Sequence, residues 1–135
     1  MKKASRIFYK VAGILSIIVA ILSFIIAAAF VVFFVPQVRD LIEQGLEYYA
    51  DQIPEQVREA LSVAYNATVI SCMVGFAGLG AFNVVNAVVS LKGGKLEKKN
   101  TGLHIVNIVF AIFSCVFINI VGAVLGLIGY RHDAE

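Results

Sequence analysis

Charged residues are scarce in this 135-residue sequence, and three long stretches contain none. Residues 11–38, 60–91 and 100–130 have no Asp, Glu, Lys or Arg, and only 15% of the chain is charged, against about a quarter in a soluble domain. Uncharged apolar runs of about 18 residues or more are typical of transmembrane helices. The pattern predicts an all-α integral membrane protein and argues against a soluble enzyme, a nucleic-acid-binding domain and a disordered tail.

The groups needed for catalysis are also missing. The sequence has no HExxH, CxxC, GxSxG or phosphate-loop motif, and its uncharged runs hold no carboxylate that could relay protons. Cys72 and Cys115 lie in apolar runs, where a thiol packs as a small hydrophobic group, so we expect no disulfide. His104 follows closely after Lys99 and is expected at the membrane interface, exposed to water. We therefore expect a non-enzymatic protein without a metal or cofactor.

The charges that do occur are divided by sign along the chain. Residues 1–10 and the connection 92–101 are rich in lysine, whereas residues 36–60 contain two arginines and six acidic side chains. Connections rich in Lys and Arg stay on the cytoplasmic side of a membrane. The division predicts a multi-pass protein of the cytoplasmic (plasma) membrane, with a cytoplasmic N-terminus and with residues 36–60 outside.

The charge pattern divides the predicted single membrane domain, residues 1–135, into segments. Its segments are a basic N-terminus 1–10, span one 7–35, an outward segment 36–60, span two 61–91, a basic loop 92–101, a third apolar run 102–130 and a tail 131–135. Each apolar run is long enough to cross the roughly 30 Å hydrocarbon core once. The favoured fold has three long transmembrane helices, with an amphipathic helix outside the membrane between the first two.

The third run has an alternative, in which two half-helices break near residues 114–117 and return the C-terminus to the cytoplasm. A repeat suggests it. Segments beginning at Asn83, Asn107 and Asn119 share Asn, a β-branched residue, Val, any residue, Ala, a β-branched residue, any residue and Ser or Gly, and two copies lie in the third run. Because each half would be only about 20 Å long, against a core of about 30 Å, we favour a single crossing.

Small residues recur on the predicted helices in a register that permits close packing. In lipid the hydrophobic effect does not bring helices together, so association depends on close backbone approach and polar contacts. Small residues in the first helix alternate at spacings of three and four, as in a heptad. The predicted seam, which packs within the chain or between two copies, comprises Gly13, Ser16, Ala20, Ser23, Ala27, Gly75, Gly78, Gly122 and Gly126.

Four asparagines lie within the second and third apolar runs: Asn83, Asn86, Asn107 and Asn119. A carboxamide in hydrocarbon needs hydrogen-bonding partners, and asparagines on neighbouring helices can satisfy one another. Interhelical hydrogen bonding is the favoured role. A polar path for an ion or solute, or contact with lipid headgroups near the interface, remains an alternative.

The outward segment is predicted to be an amphipathic helix that begins at Pro36 and is interrupted at Pro54. Its apolar face comprises Val38, Leu41, Ile42, Leu46, Tyr49 and Ile53. Its opposite side carries an acidic row of Asp40, Glu43, Glu47 and Asp51. This row is either a solvated face or a docking surface for a basic partner domain or a cationic peptide. Residues 55–61 are expected to begin the second span.

The C-terminal text TGLHIVNIVFAIFS…FINIVGAVLGLIGYR resembles the C-terminal part of small bacterial multi-pass membrane proteins. The resemblance implies a bacterial cytoplasmic membrane and carries over neither an activity nor a site. The leading hypothesis is a non-enzymatic accessory or interaction subunit, with membrane lipid and either a membrane-protein partner or further copies of the chain as its partners. The alternatives are an oligomeric channel or transport component with an asparagine-lined path, and an immunity-type protein that binds a cationic peptide.

Overall fold

The computed structural model describes residues 1–133, and this part of the chain is helical and contains no strand. Its helices are α1 (Lys2–Ala29), α2 (Val35–Tyr48), α3 (Glu55–Gly93), α4 (Thr101–Ser114) and α5 (Ile118–Gly129), with a π-helical turn, Phe30–Phe34, between α1 and α2. The predicted all-α fold class is confirmed. Two helical stretches are long and apolar enough to cross a membrane: Lys2–Tyr48, with 47 residues, and Glu55–Gly93, with 39.

The expected outward helix is a continuation of the first helix rather than a separate element. Pro36 lacks an N–H group, and just before it the Val35 N–H donates to the Phe30 carbonyl oxygen, so a π-helical turn absorbs the interruption. The helix then ends at Tyr48. Tyr49 and Ile53 therefore lie outside it, and the prediction that placed them on its apolar face was wrong. Pro54 disfavours a helical conformation for the residue before it, and α3 begins directly afterwards.

The third apolar run does not form one helix, so the favoured single helix over residues 102–130 was wrong. The chain leaves α4 at Cys115, whose φ of 59° lies in the left-handed region that commonly ends helices, and it resumes as α5 at Ile118. In a continuous helix the Ser114 carbonyl oxygen would accept from the backbone four residues on. Here it accepts from the Asn83 side chain at 2.9 Å. The alternative with a break near residues 114–117 describes this part of the chain.

The chain forms two compact units. The first consists of Met1–Ser23 and Gly78–Glu135, and the second of Phe24–Ala77. In the second unit α2 and the first turns of α3 are tied together: the Tyr65 hydroxyl donates to the Val35 carbonyl oxygen at 2.8 Å, and the Arg58 guanidinium donates to the Ala50 carbonyl oxygen.

The repeated pattern forms much of the interior of the first unit. Its first, fifth and eighth positions are buried in all three copies: Asn83, Ala87 and Ser90; Asn107, Ala111 and Ser114; Asn119, Ala123 and Gly126. These positions lie at spacings of four and three, which places them on one face of a helix. The intervening Val, Ile and Phe side chains are largely exposed. The repeat is therefore an interior face made of small and polar residues.

The N-terminus, the connection before α4 and the end of α5 meet at one end of the first unit. Lys2 Nζ lies 2.6 Å from Asp133 Oδ2, and the Tyr130 hydroxyl donates to the Leu96 carbonyl oxygen at 2.8 Å. Arg6 Nε also donates to the Tyr130 hydroxyl, at 3.3 Å. The two lysine-rich segments of the sequence therefore lie at the same end as Arg131.

Candidate functional site

The asparagines from the apolar runs are buried, and Asn86, Asn107 and Asn119 form one hydrogen-bonded network with serines. Asn83, Asn86, Asn107 and Asn119 have no exposed surface. The helices bring them together because Asn83, Asn107 and Asn119 begin the three copies of the repeat, and Asn86 lies beside Asn83 on the same buried face of α3. The interior is unusual because its largest fully enclosed side chains are amides and aromatic rings rather than those of leucine and isoleucine.

Asn119, on α5, makes contacts with two other helices. Its Nδ2 lies 2.7 Å from Asn86 Oδ1 on α3, 3.1 Å from the Asn107 carbonyl oxygen on α4 and 3.3 Å from Ser90 Oγ. Asn86 Nδ2 in turn donates to Ser16 Oγ on α1 at 2.7 Å. One connected set of hydrogen bonds therefore links all four helices of the first unit.

The remaining links pair two copies of the repeat in opposite directions. Asn83, the first residue of the copy on α3, donates to the carbonyl oxygen of Ser114, the last residue of the copy on α4. Ser90, the last residue of the first copy, donates to Asn107 Oδ1 at 3.0 Å, and Asn107 begins the second copy. The first position of each copy thus meets the last position of the other, because α3 and α4 run antiparallel.

The network has the chemistry of a structural core. Its members are neutral amides and hydroxyls, and within residues 1–133 no group of three His, Cys, Asp or Glu side chains could hold a metal ion. Its amide Nδ2 groups donate to other atoms of the chain. Since the side chains are also without exposed surface, they line no open polar path in one copy of the chain.

His104 is buried, so the expectation of a water-exposed interfacial histidine was wrong. Its Nδ1 lies 2.5 Å from the Tyr9 hydroxyl, and the planes of the two rings are nearly parallel with centroids 5.7 Å apart. The ring lies directly against Gly126: a Cβ at that glycine would be 2.8 Å from His104 Nδ1. Because Gly126 of α5 has no side chain, the imidazole of His104 from α4 fits beside it.

The predicted small-residue seam is buried over most of its length. Gly13, Ser16, Ala20 and Ser23 on α1 are buried, as are Gly122 and Gly126 on α5. Gly13 lies against the Leu91 side chain, and Gly122 against Phe8 and Tyr9. Ala27 is only half-buried, and no atom lies within 4 Å of a Cβ built at Gly75 or Gly78. These three positions are therefore not buried like the rest of the seam.

Sequence reasoning missed two residues of α1 that belong to this interior. Ser5 Oγ donates to the Gly122 carbonyl oxygen at 2.6 Å, and Tyr9 binds His104. Extending the spacing of α1 backwards from Gly13 by two steps of four residues would have found both. Their bonding partners on α4 and α5 could not be read from that spacing, because they depend on the turn at Cys115.

The acidic row lies in the second unit and is exposed. Asp40, Glu43 and Glu47 project from α2, whereas Asp51 lies in the turn that follows it. Glu43 pairs with Arg39, at 2.9 Å between Oε1 and Nε. Because these charges are exposed, their interactions within the chain contribute little to stability. Their carboxylates face solvent, where a molecule outside the chain can contact them.

Replacing Asn119 with Leu should destabilise the protein by about 1–3 kcal/mol, because the buried Asn86 Oδ1 would lose the donor that it has at 2.7 Å. The matched control is Asn66→Leu, at an exposed position outside the network, where a change within about 0.5 kcal/mol is expected. Chemical unfolding in mild detergent, followed by circular dichroism, measures both. Equal stability of the two variants would contradict the network's structural role.

Replacing Gly126 with Ala should cost about 1–3 kcal/mol, since the added methyl would overlap the buried His104 ring. Gly75→Ala adds the same methyl to a helix where nothing lies within 4 Å, and it should be neutral or stabilise by up to about 1 kcal/mol through helix propensity. Thermal unfolding curves compare the pair. A Gly126→Ala variant as stable as the parent would mean that the ring does not occupy this position.

Comparisons with known proteins give this chain no relative from which a role could be transferred. No protein-family model, curated protein or solved structure matches it. What can be inferred about function therefore rests on two features: a polar interior surrounded by exposed aliphatic side chains in the first unit, and an exposed acidic row in the second.

Proposed function

We propose that the protein is a non-enzymatic integral membrane protein that acts as an accessory or interaction subunit. The observation that carries the membrane assignment is the inverted distribution of polarity. Asparagine and serine side chains are fully buried, whereas Ile14, Ile21 and Ile25 of α1 are each more than half exposed. Soluble monomers rarely expose contiguous apolar surface on this scale, but in lipid small and polar residues mediate helix packing and aliphatic side chains face outward.

The α4–α5 hairpin supports a re-entrant arrangement. At about 1.5 Å per residue the two helices are roughly 21 and 18 Å long, too short for a hydrocarbon core of about 30 Å. The hairpin would then turn inside the bilayer, where each backbone polar group needs a partner from the protein. The bond from Asn83 to the Ser114 carbonyl oxygen meets that need at the end of α4.

This arrangement gives two crossings, both within the cell membrane, and returns the C-terminus to the side of the N-terminus. The ion pair between Lys2 and Asp133 joins the two ends, and the lysine-rich connection lies beside them through the bond from Tyr130 to Leu96. By the distribution of lysine and arginine this side is cytoplasmic. Residues 36–60, with six acids and two arginines, face the outside.

The acidic row is the surface that we propose for partner docking. Asp40, Glu47 and Asp51 are exposed and form no ion pair within residues 1–133. A basic domain of another membrane protein complements this charge, and a cationic peptide, as in the immunity-type alternative, would use the same face. The channel alternative has less support, because the asparagines that would line its path are enclosed and bonded within one copy.

The topology can be tested with reporters that are active in only one compartment. Fusions to either end of the chain should both report the cytoplasm, and an insertion in the turn after Tyr48 should report the outside. A fusion of the same reporter into the lysine-rich connection at Lys95 provides a cytoplasmic reference. Termini on opposite sides would restore a third crossing and refute the re-entrant hairpin.

Partner docking can be tested with the triple variant Asp40→Lys, Glu47→Lys and Asp51→Lys, which reverses the acidic row but keeps the Arg39–Glu43 pair. Purified in mild detergent from its native membrane, the variant should lose a protein or peptide that accompanies the parent chain. The variant Lys95→Glu and Lys98→Glu, altered in the other connection, should retain it. Both must stay in the membrane fraction after alkaline extraction. Unchanged association in the triple variant would leave the row as a merely solvated face.

A further inference from the structure

A groove of about 400 Å³ lies between α2 and the beginning of α3, in the second unit. One end is held together by the hydrogen bond from the Tyr65 hydroxyl to the Val35 carbonyl oxygen. The groove differs from the apolar grooves expected between lipid-facing helices, because charged and aliphatic side chains line it side by side.

The polar part of the groove presents one positive and one negative group. Arg39 and Glu43 share a single bond, from Nε to Oε1, and their side chains are 68% and 60% exposed, so the outer guanidinium nitrogens and the second carboxylate oxygen can meet a ligand. Ser62 and Asn66 line the groove from α3. Their exposed polar groups add uncharged donors and acceptors close to the ion pair.

The apolar part of the groove belongs to the ends of the uncharged runs. Val35 lies three residues before the end of the run 11–38, and Val69 lies within the run 60–91. Both line the groove. In the proposed membrane orientation the groove therefore passes from the hydrocarbon to the outer headgroup region, with its aliphatic end towards the acyl chains and its ion pair towards water.

We propose that this groove binds the headgroup of a zwitterionic phospholipid with a primary amine, that is, a lipid-linked phosphoethanolamine. The phosphate faces the Arg39 guanidinium, which offers several N–H donors in one plane. The ammonium faces Glu43 and donates to its carboxylate and to Asn66, while the first acyl carbons lie along Val35 and Val69. The inference rests on the proposed membrane insertion, and it makes the acidic segment a lipid-binding element as well as a docking surface.

The surroundings discriminate between headgroups. An anionic headgroup without an amine would meet the excess of acids in residues 36–60 with no positive charge to offer them. A choline headgroup carries the charge but has no N–H to donate to Glu43 or Asn66. Soluble phosphoethanolamine has both charges but lacks acyl chains for the valines, and burial of each methylene contributes favourably.

Native mass spectrometry of the full chain, purified in mild detergent, can test the proposal. The probes are phosphatidylethanolamine, phosphatidylcholine and phosphatidylglycerol with identical acyl chains, and soluble phosphoethanolamine. The ethanolamine lipid should bind tightest, by roughly threefold over the choline lipid, the size expected for an exposed ion pair. Equal binding of the three lipids would overturn the assigned headgroup, and binding of soluble phosphoethanolamine as tight as the lipid would overturn the role of the acyl chains.

Two variants separate the contributions of the ion pair. Glu43→Gln should remove the preference for ethanolamine over choline, and Arg39→Gln should weaken both lipids by a similar factor of roughly three. Glu59→Gln is the matched control, since it makes the same change at an exposed residue of α3 that lies outside the acidic row and does not line this groove. A preference that persists in Glu43→Gln, or that is lost equally in Glu59→Gln, would refute the site.

The outcome is independent of partner docking. A protein that stays in the membrane and binds its partner but shows no headgroup preference would refute the groove alone. Headgroup selectivity that survives reversal of Asp40, Glu47 and Asp51, together with loss of the partner, would support both proposals. Release of the parent chain by alkaline extraction would overturn the membrane assignment on which both depend.

Discussion

The hydrogen bonds of Asn119 are the interaction on which the four-helix unit depends. Its amide nitrogen reaches acceptors on α3 and α4, and through Asn86 the same network continues to Ser16 on α1. An amide enclosed among apolar groups is costly without partners and directional with them. The network therefore fixes the register of helices whose aliphatic outer surfaces would pack in many ways. Small residues such as Gly13 and Gly122 allow the helix backbones to come close together. The hydrogen bonds of the amides determine which helix faces meet.

The repeat explains how a short sequence builds such an interior. One pattern of asparagine, alanine and a small residue occurs on three helices, and the reversal between α3 and α4 lets the first position of one copy meet the last position of the other. The turn at Cys115 then brings the third copy, on α5, back against the other two. A residue pattern that in one continuous helix would give only a polar stripe gives, across the turns, side-chain hydrogen bonds between helices.

Much of the fold and of the buried polar interior could be predicted from the sequence, and the predictions that failed did so for physical reasons. Composition and periodicity identified the helices, the interior asparagines and most of the α1 seam, because burial follows helical spacing. The break at Cys115 was given only as the alternative, because helices of about 20 Å are too short for a core of about 30 Å and a turn at depth needs partners that the sequence does not identify. His104 was placed in water because Lys99 lies five residues before it in the sequence, whereas its neighbours in space are Tyr9 and Gly126. Side-chain pairings across a turn depend on both flanking helices, so the sequence pattern of one helix does not reveal them.

The position of Asn119 in the chain has a consequence for biosynthesis. The ribosome completes α1, α3 and α4 before α5, so the donor that connects them is made after its acceptors. Until then Asn86 Oδ1 and the Asn107 carbonyl oxygen lack that donor. The hydrogen bonds of Asn119 therefore form only once α5 has been made. Completion of the fold is therefore tied to completion of translation through α5.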